Sequence, residues 1–305
     1  MVMKKNNGFL EKLIAAALFA SLTLFAGCGG GGGTTATTPG SGTISGTAIK
    51  GPVSGAAIKA FGMNSDGTKG GQIGTTTTDA QGNFSMDVGN YAGPFMLQMT
   101  GGGFTDEATG TVMTMGAGDM MTALVPSMTA GENVTDIQIT PLTSMAQQMA
   151  RNMSGGMTEA NITQANSAMG RYFGVNDILH IQPMNPLANG AGAAATQDQR
   201  DYGMSIAAMS QYAHMVGMPN TSGMVTAMMN DASDGHMNGM MGGSQITMGG
   251  GMMGGGGMMQ PNSGTSGLAD AMQAFIQSGQ NHSGLTFQDM QALMTKLGSS
   301  NGAIQ

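Results

Sequence analysis

The chain has 305 residues and 30.7 kDa, long enough for about two domains. Charged residues make up 9% of it against a usual share of about 25%; its 10 Lys+Arg and 17 scattered Asp+Glu exclude a nucleic-acid binder and a solvated acidic tail. A single Cys excludes an internal disulfide framework, a Cys-based zinc site, a thiolate iron–sulfur cluster and a c-type haem.

Residues 1–27 read as an export signal. Lys4 and Lys5 open it, Lys12 follows Glu11, and 13–26 is uncharged and largely apolar. That run of about 14 residues is shorter than the roughly 20 a spanning helix needs. Its end, Leu24-Phe25-Ala26-Gly27-Cys28, resembles the lipobox of bacterial lipoproteins, with Phe25 standing where that family usually carries Leu. The resemblance implies that Cys28 is lipidated and becomes the mature N-terminus. Gly29 replaces the Asp that tends to retain such proteins at the inner membrane, which implies the outer membrane of a two-membrane cell. Residues 28–41 are Gly/Thr-rich and too apolar-poor to order themselves, hence a flexible tether. Loss of Lys4, Lys5, Lys12 and Glu11 with the leader leaves 7 basic and 16 acidic residues. An electrostatic grip on anionic lipid is then excluded, and lipid on Cys28 is the expected link to the membrane.

From 42 to 140 the pattern is that of strands. Stretches rich in Thr, Ile, Val and Ala alternate with Gly, Pro, Asn and Asp turns, which predicts strands over 43–49, 56–61, 73–78, 83–88, 95–100, 111–115, 121–125 and 134–139. Lys50-Gly51-Pro52-Val53 and Asp79-Ala80-Gln81-Gly82 are turn chemistry. Gly51-Pro52-Val53-Ser54-Gly55-Ala56-Ala57-Ile58 and Thr78-Asp79-Ala80-Gln81-Gly82-Asn83-Phe84, followed by Tyr91 and Phe95-Met96-Leu97, resemble the carboxypeptidase regulatory-like domain. That resemblance implies a transthyretin-like, seven-stranded antiparallel β-sandwich of the carbohydrate-binding-like kind, acting as a spacer or binding module without a catalytic role.

From Pro141 the period becomes helical. Leu142, Met145 and Met149 follow the cap Thr140; Ile162, Ala165, Met169 and Phe173 follow Thr158 and stop at Gly174. Tyr202, Ile206, Met209, Ala213 and Val216 form a third stripe, and 221–231 a short fourth. Leu268, Met272, Phe275 and Ile276 form a fifth, and Phe287, Met290, Leu293, Met294 and Leu297 a sixth after Thr286. Ile139-Thr140-Pro141-Leu142-Thr143-Ser144 and Asn230-Asp231-Ala232-Ser233-Asp234-Gly235 look like segments of uncharacterised bacterial surface lipoproteins that join such a sandwich to a helical half. The expected class is α+β multidomain: sandwich 42–140, helical domain 141–235, a disordered Met/Gly-rich loop 236–265 and C-terminal helices 266–305.

Methionine falls into two populations. One occupies helical core positions such as Met145, Met209, Met228 and Met290, replacing Leu at similar volume. The other is embedded in glycine: His236, Met237, Met240, Met241, Met252, Met253, Met258 and Met259. Thioethers on an exported loop favour Cu(I) or Ag(I) over hard cations, so these residues are candidate soft-metal ligands. Drifted low complexity and an oxidant sink are the competing readings of the same stretch.

Other sites do not materialise. The segment after Asn230 lacks the oxygen ligands of a calcium loop at Ala232 and Met241. His180, His214, His236 and His282 show no ligand spacing, and no nucleophile elbow or phosphate-cradling glycine loop is present. The expected function is therefore non-enzymatic: a lipid-anchored envelope protein with a structural or binding role. Soft-metal capture by the Met-rich loop is one alternative; carbohydrate binding by the sandwich is another, with Phe61, Phe84, Tyr91, Phe95 and Phe104 as its available aromatics.

Overall fold

The protein, described by a computed structural model over residues 40–248 and 257–305, is of mixed α+β class. Among the described residues, nine strands precede the helices. β1 (Gly42–Ala48) pairs antiparallel with β4 (Asn83–Gly89) and parallel with β9 (Asn133–Ile139), giving the sheet order β4-β1-β9. A second, fully antiparallel sheet runs β3 (Lys69–Thr77), β2 (Ala57–Met63), β5 (Phe95–Thr100), β8 (Met120–Val125). β6 (Gly103–Thr105) and β7 (Val112–Thr114) form a separate hairpin. The strict alternation in β4 buries Phe84, Met86 and Val88 and leaves the residues between them in solvent, the period-two pattern of a half-covered strand. β8 buries every residue but Met120, with α1 and α2 packed against it, and β5, hydrogen-bonded between β2 and β8, buries Phe95, Met96, Leu97 and Met99.

Helix α1 (Pro141–Asn152) starts with no loop after β9. Thr140 caps it through a reciprocal bond with Thr143, and Pro141 occupies the first turn, where its missing N–H costs nothing. α2 (Glu159–Phe173) is capped by Thr158 and ends on Gly174 in the left-handed conformation. After the short α3 (Ala191–Ala194) come α4 (Gln197–Met215), α5 (Ser222–Asp231), α6 (Ser266–Gln277) and α7 (Phe287–Gly298). α4 is buried along most of its length, with Tyr202 fully enclosed and bonded through its hydroxyl to Thr140 Oγ1 at 2.6 Å and to the Ile178 carbonyl at 2.8 Å.

Residues Pro39–Gln305 form one compact unit, and a single apolar core runs from Ile44 and Ile58 in the sheets to Met290 and Leu297 in α7. The sequence pattern located eight of the nine strands in this part of the chain and missed β6, which at three residues is too short to show an alternation. Among the described residues, no helix is long and apolar enough to cross a membrane.

The Met/Gly-rich stretch corrects one expectation. Its described residues are not disordered: β10 (Met240–Met241) and β11 (Ser244–Gln245) make a small hairpin. Gly242 and Gly243 turn it with positive φ, a conformation that side-chain-bearing residues resist. Asp231 Oδ1 holds the approach by accepting from the backbone N–H of Asn238 (2.9 Å) and Gly239 (2.6 Å). Met237, Met248 and Met259 then drop into the core.

Candidate binding cleft

The most concentrated buried chemistry lies around a lysine. Ile49 and Pro52 bridge across a tight turn after β1, and Gly51 at φ 61° lets the turn approach β6 so closely that a Cβ there would overlap the Thr105 carbonyl. The turn thereby aims Lys50 at Asp106 and Glu107, the two residues following β6. Lys50 is fully buried and Glu107 is 2% exposed. Lys50 Nζ lies 2.9 Å from Glu107 Oε2 and 3.7 Å from Asp106 Oδ2, and it donates to Ser210 Oγ of α4 and to Thr221 Oγ1 at 3.4 Å, at the start of α5. Ser210 donates to Glu107 at 2.5 Å, and Thr221 to Asp106 at 2.5 Å. Asp106 Oδ1 also accepts from the Thr109 N–H at 3.0 Å. The Phe104 ring centroid is 5.1 Å from the ammonium. Two carboxyl groups share one ammonium here, in surroundings whose low dielectric strengthens their mutual interaction.

Glu107 also lines a cavity of about 60 Å³, together with Ile49, Pro52, Pro183, Met184, Pro186 and Ile206 and the amide residues Gln81, Gln182 and Asn185. The wall at 183–186 lies directly on α4, because Gly203 faces Met184: a Cβ at Gly203 would overlap the Met184 carbonyl. Met184 N–H is fixed to the Gln199 carbonyl at 3.0 Å.

Thr47 and Gln182 also border a second, open cleft of about 620 Å³. It is polar, lined by Asp136, Gln138, Asn176, His180, Thr196 and Asp198 among others. Asp136 is the one described non-glycine residue with positive φ, at 61°, and its carbonyl accepts from Gln138 Nε2 at 2.9 Å. Gln138 is 2% exposed, and its Oε1 has no hydrogen-bond partner. His180 Nδ1 meets Asp177 Oδ2 at 2.8 Å; that bond lifts the imidazole above its ordinary pKa and holds the Asp177 carboxyl below its own.

The residues singled out from sequence scatter elsewhere. Cys28, Met252 and Met253 lie outside the described residues. Met237 and Met259 are fully buried core side chains, Met240 is half-buried, and Met241 and Met258 are exposed. His236 is an exposed side chain 3.9 Å from Asp234. Met241 borders a different hollow, about 650 Å³, together with Met149, Met153 and Asp234. Among the described residues no group of three or more His, Cys, Asp and Glu could hold a metal ion. Of the five aromatics in 42–140, Phe84, Phe95 and Phe104 are core. Tyr91 is tied through its hydroxyl to the Pro94 carbonyl (2.5 Å) and the Met63 N–H (3.1 Å), and Lys69 covers the Phe61 ring at 4.3 Å.

Sequence reasoning passed over Lys50 as turn chemistry and gave no role to Asp106, Glu107, Gln138 or Ser210. The one available signal was a charged residue inside an otherwise apolar β-turn, in a chain where charge is scarce.

Comparison with known proteins adds no family. No family profile matches the chain, and no curated protein matches it. A solved structure, a 9R-lipoxygenase from Cyanothece PCC8801, aligns over 67% of this chain with 9% identity and a TM-score of 0.21; the chain spans 26% of that protein's length.

Proposed function

We propose that the chain is a lipid-anchored protein of the cell envelope that works by binding, with the leader removed, Cys28 acylated and the cleft beside Glu107 as its site. The observation that carries the binding role is that strands and helices wall this cleft jointly: Thr47 and Gln81 from the sheet half, and Gln182, Met184 and Ile206 from the helical half. A ligand seated there would touch both halves at once. The sheets of three and four strands together supply seven, the number in the transthyretin-like sandwich that the Gly51-Pro52-Val53 and Asp79-Ala80-Gln81-Gly82 motifs suggest, although β1 pairs parallel with β9 where that sandwich is expected to be antiparallel. A non-catalytic role is supported by Ser210 and Lys50, a hydroxyl beside an amine, both of which are sealed from solvent. The test is hydrogen–deuterium exchange on the protein isolated from membranes, with and without an extract of the cell envelope. Added protection over 47–52 and 182–186 is expected, and unchanged exchange there overturns the binding site. An N-terminal peptide whose mass lacks acyl chains overturns the anchor.

A second reading, soft-metal capture, draws on the hollow where Met149, Met153 and Met241 gather beside Asp234. Titration of the reduced protein with Cu(I) against a competing chelator tests it. Affinity no tighter than millimolar, or affinity indifferent to Met153→Leu with Met241→Leu, removes it.

A further inference from the structure

We propose that Lys50 and Asp106 close a covalent cross-link, an amide between Nζ and the Asp106 Cγ, with Glu107 carrying the proton; this stands apart from ligand binding in the cleft. The reacting groups are gathered and withdrawn from water: Lys50 and Asp106 are fully buried and Glu107 almost so. Nζ lies 3.7 Å from Asp106 Oδ2 and 2.9 Å from Glu107 Oε2. Groups held at such range react as if very concentrated, because folding has already met the entropy of bringing them together.

The two carboxyls are prepared for different parts. Asp106 Oδ1 accepts from the Thr109 N–H and from Thr109 Oγ1, both at 3.0 Å, and Oδ2 accepts from Thr221 Oγ1 at 2.5 Å. Donors on both oxygens draw electron density away from Cγ, and those on Oδ1 are placed to stabilise the charge that gathers there during attack. Glu107 Oε2 instead accepts directly from Nζ, which puts it where the lysine's proton must go.

The step balances without oxidant or cofactor. The ammonium gives a proton to Glu107, the amine nitrogen forms a bond to Cγ, and the Cγ–Oδ2 bond breaks. Oδ2 leaves as water with two protons, one returned by Glu107 and one shed by the nitrogen. An ammonium and a carboxylate thus become a neutral amide, and Glu107 ends as it began. In water the reverse direction is favoured, since both ions are well solvated. Burial changes the balance, because the amide replaces two charges whose desolvation is costly. Glu107 also lines the cavity of about 60 Å³, which is large enough to receive the released water. The bond would tie the turn after β1 to the loop after β6 in a chain whose single Cys allows no internal disulfide.

The test is to unfold the full-length protein as isolated from its cell, acetylate its amines and read a proteolytic digest by tandem mass spectrometry. A branched peptide joining Lys50 to Asp106 is expected, lighter than its two parts by one water. Lys50 should escape acetylation while Lys59 and Lys69, both exposed, are modified. Glu107→Gln keeps a hydrogen-bond acceptor beside Nζ but removes the carboxylate that takes the proton. It is expected to lose the branched peptide and to return Lys50 as an acetylated residue, with Lys50→Arg as the blank. Acetylated Lys50 in the parent protein would leave the cluster an ion pair and overturn the inference, whether or not the variants fold. A branched peptide carrying Glu107 in place of Asp106 overturns the assigned roles, and so does an undiminished link in Glu107→Gln.

Discussion

Lys50 Nζ sits 2.9 Å from Glu107 Oε2 with both side chains withdrawn from water, so the turn that ends β1 is fastened to the loop that follows β6. Ser210 and Thr221 extend the same cluster into α4 and α5, and it thereby ties the sheets to the helices. Removing one partner of a buried pair strands the other charge, at a cost of about 3–5 kcal/mol, whereas exchanging the whole set for neutral groups is often close to neutral. Lys50→Met is expected to lower the unfolding free energy by about that amount. Adding Asp106→Asn and Glu107→Gln is expected to recover part of it. Urea denaturation of the three proteins measures both. A Lys50→Met protein as stable as the parent would remove the cluster as a fastening.

Gly203 tests how the cleft wall is held. In a helix interior, Ala is ordinarily the better residue by about 1 kcal/mol. Here the added methyl meets the Met184 carbonyl, a backbone atom that cannot rotate aside, and overpacking of this kind costs about 1–3 kcal/mol. Gly203→Ala is therefore expected to destabilise despite its better propensity and to loosen 183–186 from α4. Faster amide exchange at Met184, whose N–H bonds to the Gln199 carbonyl, is the local readout. A rise in melting temperature with unchanged exchange would contradict the close contact.

Two buried carboxyls set a pH dependence. Burial pushes Asp201 and Asp231 up to about 6 from an ordinary 3.8. Between those values the folded protein holds more protons than the unfolded chain, so unfolding free energy falls as pH rises. The penalty is absent below about 3.8, grows through the window and is complete above about 6, reaching about 1–3 kcal/mol for each group. Carboxyls held low by hydrogen bonds, such as Asp79 and Asp289, act in the opposite sense and only at lower pH. Stability at pH 4.5 is thus expected to exceed that at pH 7. Asp231→Asn keeps an acceptor for the Asn238 and Gly239 N–H groups and is expected to halve the slope. Parallel stability curves for the two proteins across this window would exclude Asp231 as the titrating group.

How much of this was legible beforehand depended on the range of the interaction. Thr140, Thr158 and Thr286 announced helix starts, and Gly174 a helix end, because capping is chemistry between neighbours in sequence. The strands showed through turn residues spaced along one segment. Lys50 did not show, since the residues that make it a buried ion stand 57, 160 and 171 positions away. A lysine before Gly-Pro reads locally as a solvated turn. Gln138 was hidden for the same reason: it is one polar residue of β9, and the turn whose Leu179 carbonyl accepts from its N–H at 2.8 Å lies far along the chain. Glycine density misled in the other direction. It signalled an unfolded loop, while Gly242 and Gly243 were serving a hairpin turn.

The methionines of that hairpin can be sorted by oxidation. Thioether oxidation follows exposure, and a sulfoxide in a packed core forces a polar group among apolar ones. Met241 and Met258 are 45% and 48% exposed, whereas Met237 and Met259 are fully enclosed. Limited peroxide treatment followed by peptide mass mapping is expected to oxidise Met241 and Met258 well before Met237 and Met259. The early stage should leave the melting temperature unchanged, and modification of the enclosed pair should come only with unfolding. If Met237 reacts as fast as Met241 while the protein stays folded, the segment is not packed as described. The thioethers would then have to be treated as one accessible group, which would also favour the soft-metal reading over the core one.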